Sequence, residues 1–157
     1  MLFVCLGNIC RSPMAHGLFR AELKARQIED RLEVDSCGTG GHHAGEAPNA
    51  MMQEVALRHG INLSDLRSRQ LCSDDYREFD LLVAMDRANE QDIQARMPED
   101  STCEVLRFMQ FVPESRGEDI PDPWWAGRLE GFEHVFELLE AGTEPLIRYA
   151  EEEFKRN

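Results

Sequence analysis

A chain of 157 residues, 42% of them hydrophobic, is sized for one domain spanning residues 1–157, with a core that needs no disulfide or metal staple. The net charge of −13 argues against nucleic-acid binding, against docking on anionic membranes, and against long-range attraction of an anionic substrate. Five cysteines with no CxxC pair, no apolar run of bilayer length and no signal-peptide pattern at the start lead us to expect a cytoplasmic monomer with reduced thiols.

Met1–Cys5 reads as a short buried strand, and Pro13–Gln27 as a helix with Met14, Leu18, Ala21, Ala25 and Ile28 on one face. Ser12 followed by Pro13 is a good helix start, because proline suits the first turn. Leu32, Val34 and Ser36 alternate with charged residues and suggest a half-buried strand. Asn49–His59 reads as a second helix, stopped by Gly60. The continuous apolar run Leu81–Met85 is the pattern of a strand covered on both faces. Arg87–Met97 follows as a polar helix ended by Pro98, Glu104–Phe108 as a short strand, and Phe132, Val135, Phe136, Leu139 and Leu146 mark a long C-terminal helix. Strands alternating with helices predict an α/β domain with a small parallel sheet. Ligands in such domains sit at the carboxyl ends of the strands, which directs attention to Cys5.

The segment Val4-Cys5-Leu6-Gly7-Asn8-Ile9-Cys10-Arg11-Ser12 places a cysteine and an arginine five residues apart, between a strand and a helix. The spacing alone occurs by chance, and the context carries the weight. A loop of this length can turn the N–H groups of Leu6 to Ser12 inward as an anion nest, at a helix N-terminus whose free N–H groups favour negative charge. Gly7 and Asn8 are residue types that tolerate the left-handed conformation a tight loop needs. The same field favours the thiolate of Cys5, a ready nucleophile. Arg11 offers a planar fork for phosphate oxygens that gather charge in the transition state. Ser12 can donate to Cys5 and stabilise it as a leaving group. Cys10 has two readings: a small packed residue, or a resolving thiol for Cys5 under oxidation.

Attack on phosphorus still calls for a proton donor to the departing oxygen. Ile120-Pro121-Asp122-Pro123-Trp124-Trp125 supplies one carboxyl group in a loop stiffened by two prolines and followed by two large apolar rings. A carboxyl group beside a phosphate dianion holds its proton, which suits Asp122 to general acid work.

Cys5 through Ala15, together with Asp122-Pro123-Trp124-Trp125, resembles the low-molecular-weight protein-tyrosine phosphatases. The similarity runs the length of the chain through Asp35-Ser36-Cys37-Gly38-Thr39, Arg69-Gln70-Leu71, Phe79-Asp80, Ala84-Met85-Asp86 and Gly131-Phe132-Glu133. It implies a four-stranded parallel sheet flanked by helices, in a flavodoxin-like three-layer arrangement. It implies hydrolysis of phosphotyrosine in a protein substrate through a phosphocysteine on Cys5, with neither metal nor cofactor. It further implies a supporting network of Asn8, Ser12 and Ser36, and a substrate slot of Ile9, Trp124, Trp125 and a residue after Gly38-Thr39. Three departures stand out. His42 falls near the place where the family often has an aromatic residue. Leu66 falls where many members carry a histidine. Trp124 and Trp125 replace tyrosines that can themselves be phosphorylated.

Three rivals share these residues in part. An arsenate reductase on this fold needs a relay pair of cysteines, and Cys72 and Cys103 are isolated. A phosphoarginine phosphatase favours threonine where Ile9 stands. A module that only binds phosphotyrosine is expected to lack Cys5, Arg11 or Asp122. Neighbouring His42 and His43 point apart on a loop and have no ligand partner at metal spacing.

Overall fold

The structure is a computed structural model that describes residues 1–115 and 117–154. Four strands, β1 (Leu2–Cys5), β2 (Asp35–Gly38), β3 (Leu81–Ala84) and β4 (Glu104–Arg107), form one parallel sheet in the order β2-β1-β3-β4. Helices α1 (Arg11–Ala25), α2 (Ala50–Arg58), α3 (Asp75–Glu78), α4 (Arg87–Arg96) and α5 (Leu129–Glu153) flank it. β1 and β3 are central and entirely buried, so their runs need no polar alternation. Period two still sorts them. Phe3, Cys5, Leu81 and Val83 face the core shared with α1, α2 and α5. Leu2, Val4, Leu82 and Ala84 face the smaller core with Tyr76 of α3 and Ile93 of α4.

The larger core is organised around three rings. Phe3 lies 4.7 Å from Phe19 and 6.5 Å from Phe108, centroid to centroid, and Phe19 is 6.2 Å from Phe108. Phe108 opens a short 3-10 turn, Phe108–Phe111, that rolls the chain from β4 toward α5. Gly142 of α5 lies over it so closely that a Cβ would come within 2.4 Å of its ring.

The helices and strands follow the expectations with two main differences. α2 has Asn49 as its N-cap, accepting from Met51 N at 2.8 Å and Met52 N at 3.3 Å, and Gly60 follows its end at φ 76°. In α1 the buried stripe runs through Ala15, Phe19 and Leu23 beside Met14 and Leu18, while Ala21 and Ala25 face solvent. Turning Phe19 and Leu23 inward removes far more apolar area from water than turning two alanines inward. The second difference is β2, which occupies Asp35–Gly38 and leaves Leu32 and Val34 ahead of it. Its register is set by pairing with Leu2 to Cys5 rather than by its own residues. Neither the four-residue α3 nor the 3-10 turn carries enough periodicity to be foreseen.

Candidate active site

Parallel pairing brings the carboxyl ends of β1, β2 and β3 to one edge. Cys5 ends β1, and the five residues after it lead into α1. Cys10 occupies the N-cap position of α1 and makes no side-chain cap bond, so the helix's first amides are open to an anion. Asn8 sits in the left-handed region at φ 55°. Its N–H donates to Cys5 Sγ at 3.3 Å, and its Nδ2 donates to Ser12 Oγ at 2.8 Å. Ser12 Oγ lies 3.0 Å from Cys5 Sγ. Because Asn8 already donates to that hydroxyl, the serine's own hydrogen is free to point at the sulfur or at Cys37 O, 3.3 Å away. The sulfur thus has one backbone donor, Asn8 N–H, with the Ser12 hydroxyl within reach as a second.

Arg11 projects into the same edge with only 3% of its side chain exposed. Nη1 donates to Asp86 Oδ2 at 2.7 Å and to Ile120 O at 3.0 Å, while Nη2 lies 3.7 Å from Asp122 Oδ2. Burial opposes its charge, but Cys5, Asp86 and Asp122 outweigh burial and hold the guanidinium protonated more firmly than usual. Asp86 is the N-cap of α4, accepting from Asn89 N at 2.7 Å, so its position is locked by the turn after β3. The sequence shows Asp86 only as part of a resemblance. Its hold on Arg11 appears once β1 and β3 are adjacent. Burial pushes the Cys10 thiol well above its usual range, with Cys5 and Asp122 adding to the effect and Arg11 opposing it. Both Cys5 and Cys10 are buried and free.

Asp122 lies on the loop before α5. Its Oδ1 accepts from Trp124 N at 3.1 Å, an Asx turn that folds the loop over its own carboxylate. The loop's base is tied down by Ile120 N donating to Met85 O at 3.0 Å. Trp124 and Trp125 are 47% and 81% exposed, so they form the rim rather than a buried wall. Leu6 stands exposed at 47%, whereas Ile9 is buried.

Two sequence assignments shift. His43, and not His42, is the histidine brought to the site. Its ring is 5.7 Å from Trp124, its Nδ1 is 2.8 Å from Glu46 Oε2, and a Cβ on Gly7 would lie 3.1 Å from its Cδ2. His42 is exposed, with its ring turned toward Gly40. Nothing in a pair of adjacent histidines says which one the loop turns inward. Ser36 does not meet Asn8 or Ser12. Its hydroxyl lies 3.2 Å from His16 Nδ1 on α1, with Asp35 Oδ1 at 3.8 Å from the same nitrogen. Burial lowers the pKa of His16 despite Asp35. Asn8 is held instead from Arg69, whose N–H donates to Asn8 Oδ1 at 3.0 Å. Leu66 is buried in the core.

Among the described residues no group of three or more His, Cys, Asp or Glu side chains is placed to hold a metal ion. No described helix is long and apolar enough to cross a membrane. A cavity of about 750 Å³ lies at the opposite edge of the sheet, lined by Met1, Glu29, Glu33, Asp80 and Phe154 among others. Its carboxylates make it a poor place for a phosphate.

A parallel sheet that presents a cysteine, an arginine and a carboxylate around an open helix N-terminus is an arrangement suited to phosphate esters. The comparisons give the family. The model described as low molecular weight phosphotyrosine protein phosphatase matches residues 1–157, and the chain belongs to that family of hydrolases. Similar proteins include the low molecular weight protein-tyrosine-phosphatase YfkJ of Bacillus subtilis, 37% identical over 153 residues, covering 98% of this chain and 96% of that one. The low molecular weight phosphotyrosine protein phosphatase of Schizosaccharomyces pombe is 39% identical over 133 residues, 84% of each chain. A crystal structure of a protein tyrosine phosphatase from Entamoeba histolytica superposes with a TM-score of 0.90 at 33% identity, over 98% of this chain and 97% of that one.

Proposed function

We propose that this chain hydrolyses phosphotyrosine in protein substrates, and small aryl phosphates, through a phosphocysteine on Cys5, acting as a cytoplasmic monomer. In the first step the Cys5 thiolate attacks phosphorus in line with the aryl oxygen. The S–P bond forms as the P–O bond breaks, and Asp122 delivers its proton to the departing phenol oxygen. Loop N–H groups and the fork of Arg11 hold the equatorial oxygens, whose charge grows in the transition state. In the second step Asp122, now a carboxylate, takes a proton from water as the water attacks phosphorus. The S–P bond breaks, and Ser12 Oγ and Asn8 N–H receive the returning thiolate.

The observation that carries this reading is the convergence on one strand end. Asn8 N and Ser12 Oγ are at 3.3 and 3.0 Å from Cys5 Sγ, and Asp122 is 3.7 Å from the arginine that would clamp the phosphate. The His43–Trp124 pair borders the loop with aromatic surface, which favours an aryl ester over phosphoarginine. Arsenate reduction is disfavoured because Cys72 and Cys103 lie outside the Cys5 site, at Asp75 and Ser101. The test is phosphate release from a phosphotyrosine peptide without added metal. Release by the wild-type protein that vanishes in Cys5→Ser is expected. A folded wild-type protein that releases none would refute the proposal and turn attention to arsenate and phosphoarginine.

A further inference from the structure

For one anion to meet several N–H groups of the loop, the loop's carbonyls must turn outward, where each needs a donor. Four of them find backbone donors. Thr39 N donates to Cys5 O at 2.9 Å, Gly40 N to Leu6 O at 2.9 Å, Asn49 N to Ile9 O at 2.8 Å and Met14 N to Cys10 O at 3.2 Å. Gly7 differs: its carbonyl accepts from a side chain, the Ser68 hydroxyl, at 2.9 Å.

The Gly7–Asn8 peptide is also the one whose far end touches the nucleophile. The peptide unit is planar and trans, so Gly7 C=O and Asn8 N–H point in opposite directions. Asn8 N–H is the group that donates to Cys5 Sγ at 3.3 Å. Holding the carbonyl therefore aims the amide. This plane is the easiest in the loop to turn, because it lies between a residue without Cβ and a left-handed asparagine. Ser68 is well placed to hold it. It is 5% exposed, its N–H donates to Glu46 O at 2.8 Å, and its carbonyl accepts from Gly45 N at 2.8 Å. The next residue, Arg69, grips the Asn8 side chain through its own N–H, and its guanidinium clasps Asp35 and Asp75, each at 2.9 Å.

We propose that Ser68 is a positioning residue for the reaction: its hydroxyl, through the Gly7 carbonyl, sets the peptide plane that points Asn8 N–H at Cys5 and into the phosphate site. The assignment rests on the phosphatase reading above. In Ser68→Ala the Gly7 carbonyl loses its donor and the plane is free to turn, while every backbone donor around the loop remains.

The test is the dissociation constant of orthovanadate, a phosphate analogue, measured by calorimetry on wild-type, Ser68→Ala and Ser68→Thr proteins, with Tm and kcat/KM for an aryl phosphate alongside. A dissociation constant is a property of the folded molecules, so a serine that served stability alone would shift Tm and leave it unmoved. Ser68→Ala is expected to weaken vanadate binding about tenfold, with a similar fall in kcat/KM, and Ser68→Thr to restore both to within about twofold of wild type. An active wild type matched within about twofold by Ser68→Ala, or a Ser68→Thr as impaired as Ser68→Ala, would overturn this assignment alone. A wild type with neither turnover nor vanadate binding would sink the phosphatase reading and this assignment with it.

Discussion

Arg11 is tied down before any substrate arrives. Asp86 and Ile120 O take its Nη1, leaving the other edge of the fork toward the loop and Asp122. A fork held this way loses little entropy when it meets a phosphate, which is the advantage of arginine over lysine at such a position. Asp122 is held more loosely, with a quarter of its side chain exposed and one backbone donor on Oδ1. That freedom suits the acid and base role proposed for it. Asp122→Asn is expected to cut kcat/KM, which reports the step that expels the leaving group, by roughly 10²–10⁴ for alkyl-like, poor leaving groups and much less for nitrophenyl-like, good ones. Steady-state rates across a series of aryl phosphates check it, and equal losses across the series would argue against the acid role.

At the scale of elements, the site is built from strand ends and loops, while the helices behind it set its rigidity. α5 is pressed onto the 3-10 turn through Gly142, over a Phe108 that is fully buried. A Cβ there would sit 2.4 and 2.8 Å from two ring carbons, and neither the ring nor the helix has room to give. Gly142→Ala is expected to cost about 1–3 kcal/mol by overpacking, outweighing the gain in helix propensity. A urea titration reads that loss. The vanadate affinity of the folded fraction should not change, because Gly142 lies on the side of α5 that meets Phe108 and not at the loop.

The whole molecule carries its charge in two ways. Locally, Asp75 is 2% exposed and receives Arg69 and Cys72 N. Burial would raise its pKa, but the hydrogen bonds from Arg69 and Cys72 outweigh burial and hold it below the usual carboxylate value. A carboxylate with a depressed folded pKa contributes stability above its unfolded pKa of about 3.9 and loses it as pH falls through the folded value. The urea midpoint should therefore fall as pH drops from about 5 to 3. Asp75→Asn should be less stable at neutral pH by roughly 1–3 kcal/mol and show a flatter acid limb. Globally, the −13 charge repels an acidic phosphopeptide. Raising ionic strength from about 0.01 to 0.15 M shortens the screening length from about 30 to 8 Å, so KM for such a peptide should fall. A KM that rises with salt would point instead to a basic docking patch.

The chain's residues by themselves determined the parallel α/β class and the strand-to-helix loop from Cys5 to Arg11, and they were enough to nominate Cys5, Arg11, Ser12 and Asp122 as the candidate site. Those features are local or periodic: an apolar run long enough to be a doubly covered strand, a loop feeding a Ser-Pro helix start, a carboxyl group between two prolines. The tertiary structure alone decided what depends on which strands lie side by side. It set the register of β2, whose residues have little strand preference of their own. It set Asp86 against Arg11 across 75 positions of chain. It chose His43 over His42, and it gave Ser36 to His16 while Asn8 went to Arg69. These are contacts between residues far apart in sequence, or choices between neighbours of equal chemistry, and no spacing along the chain encodes either.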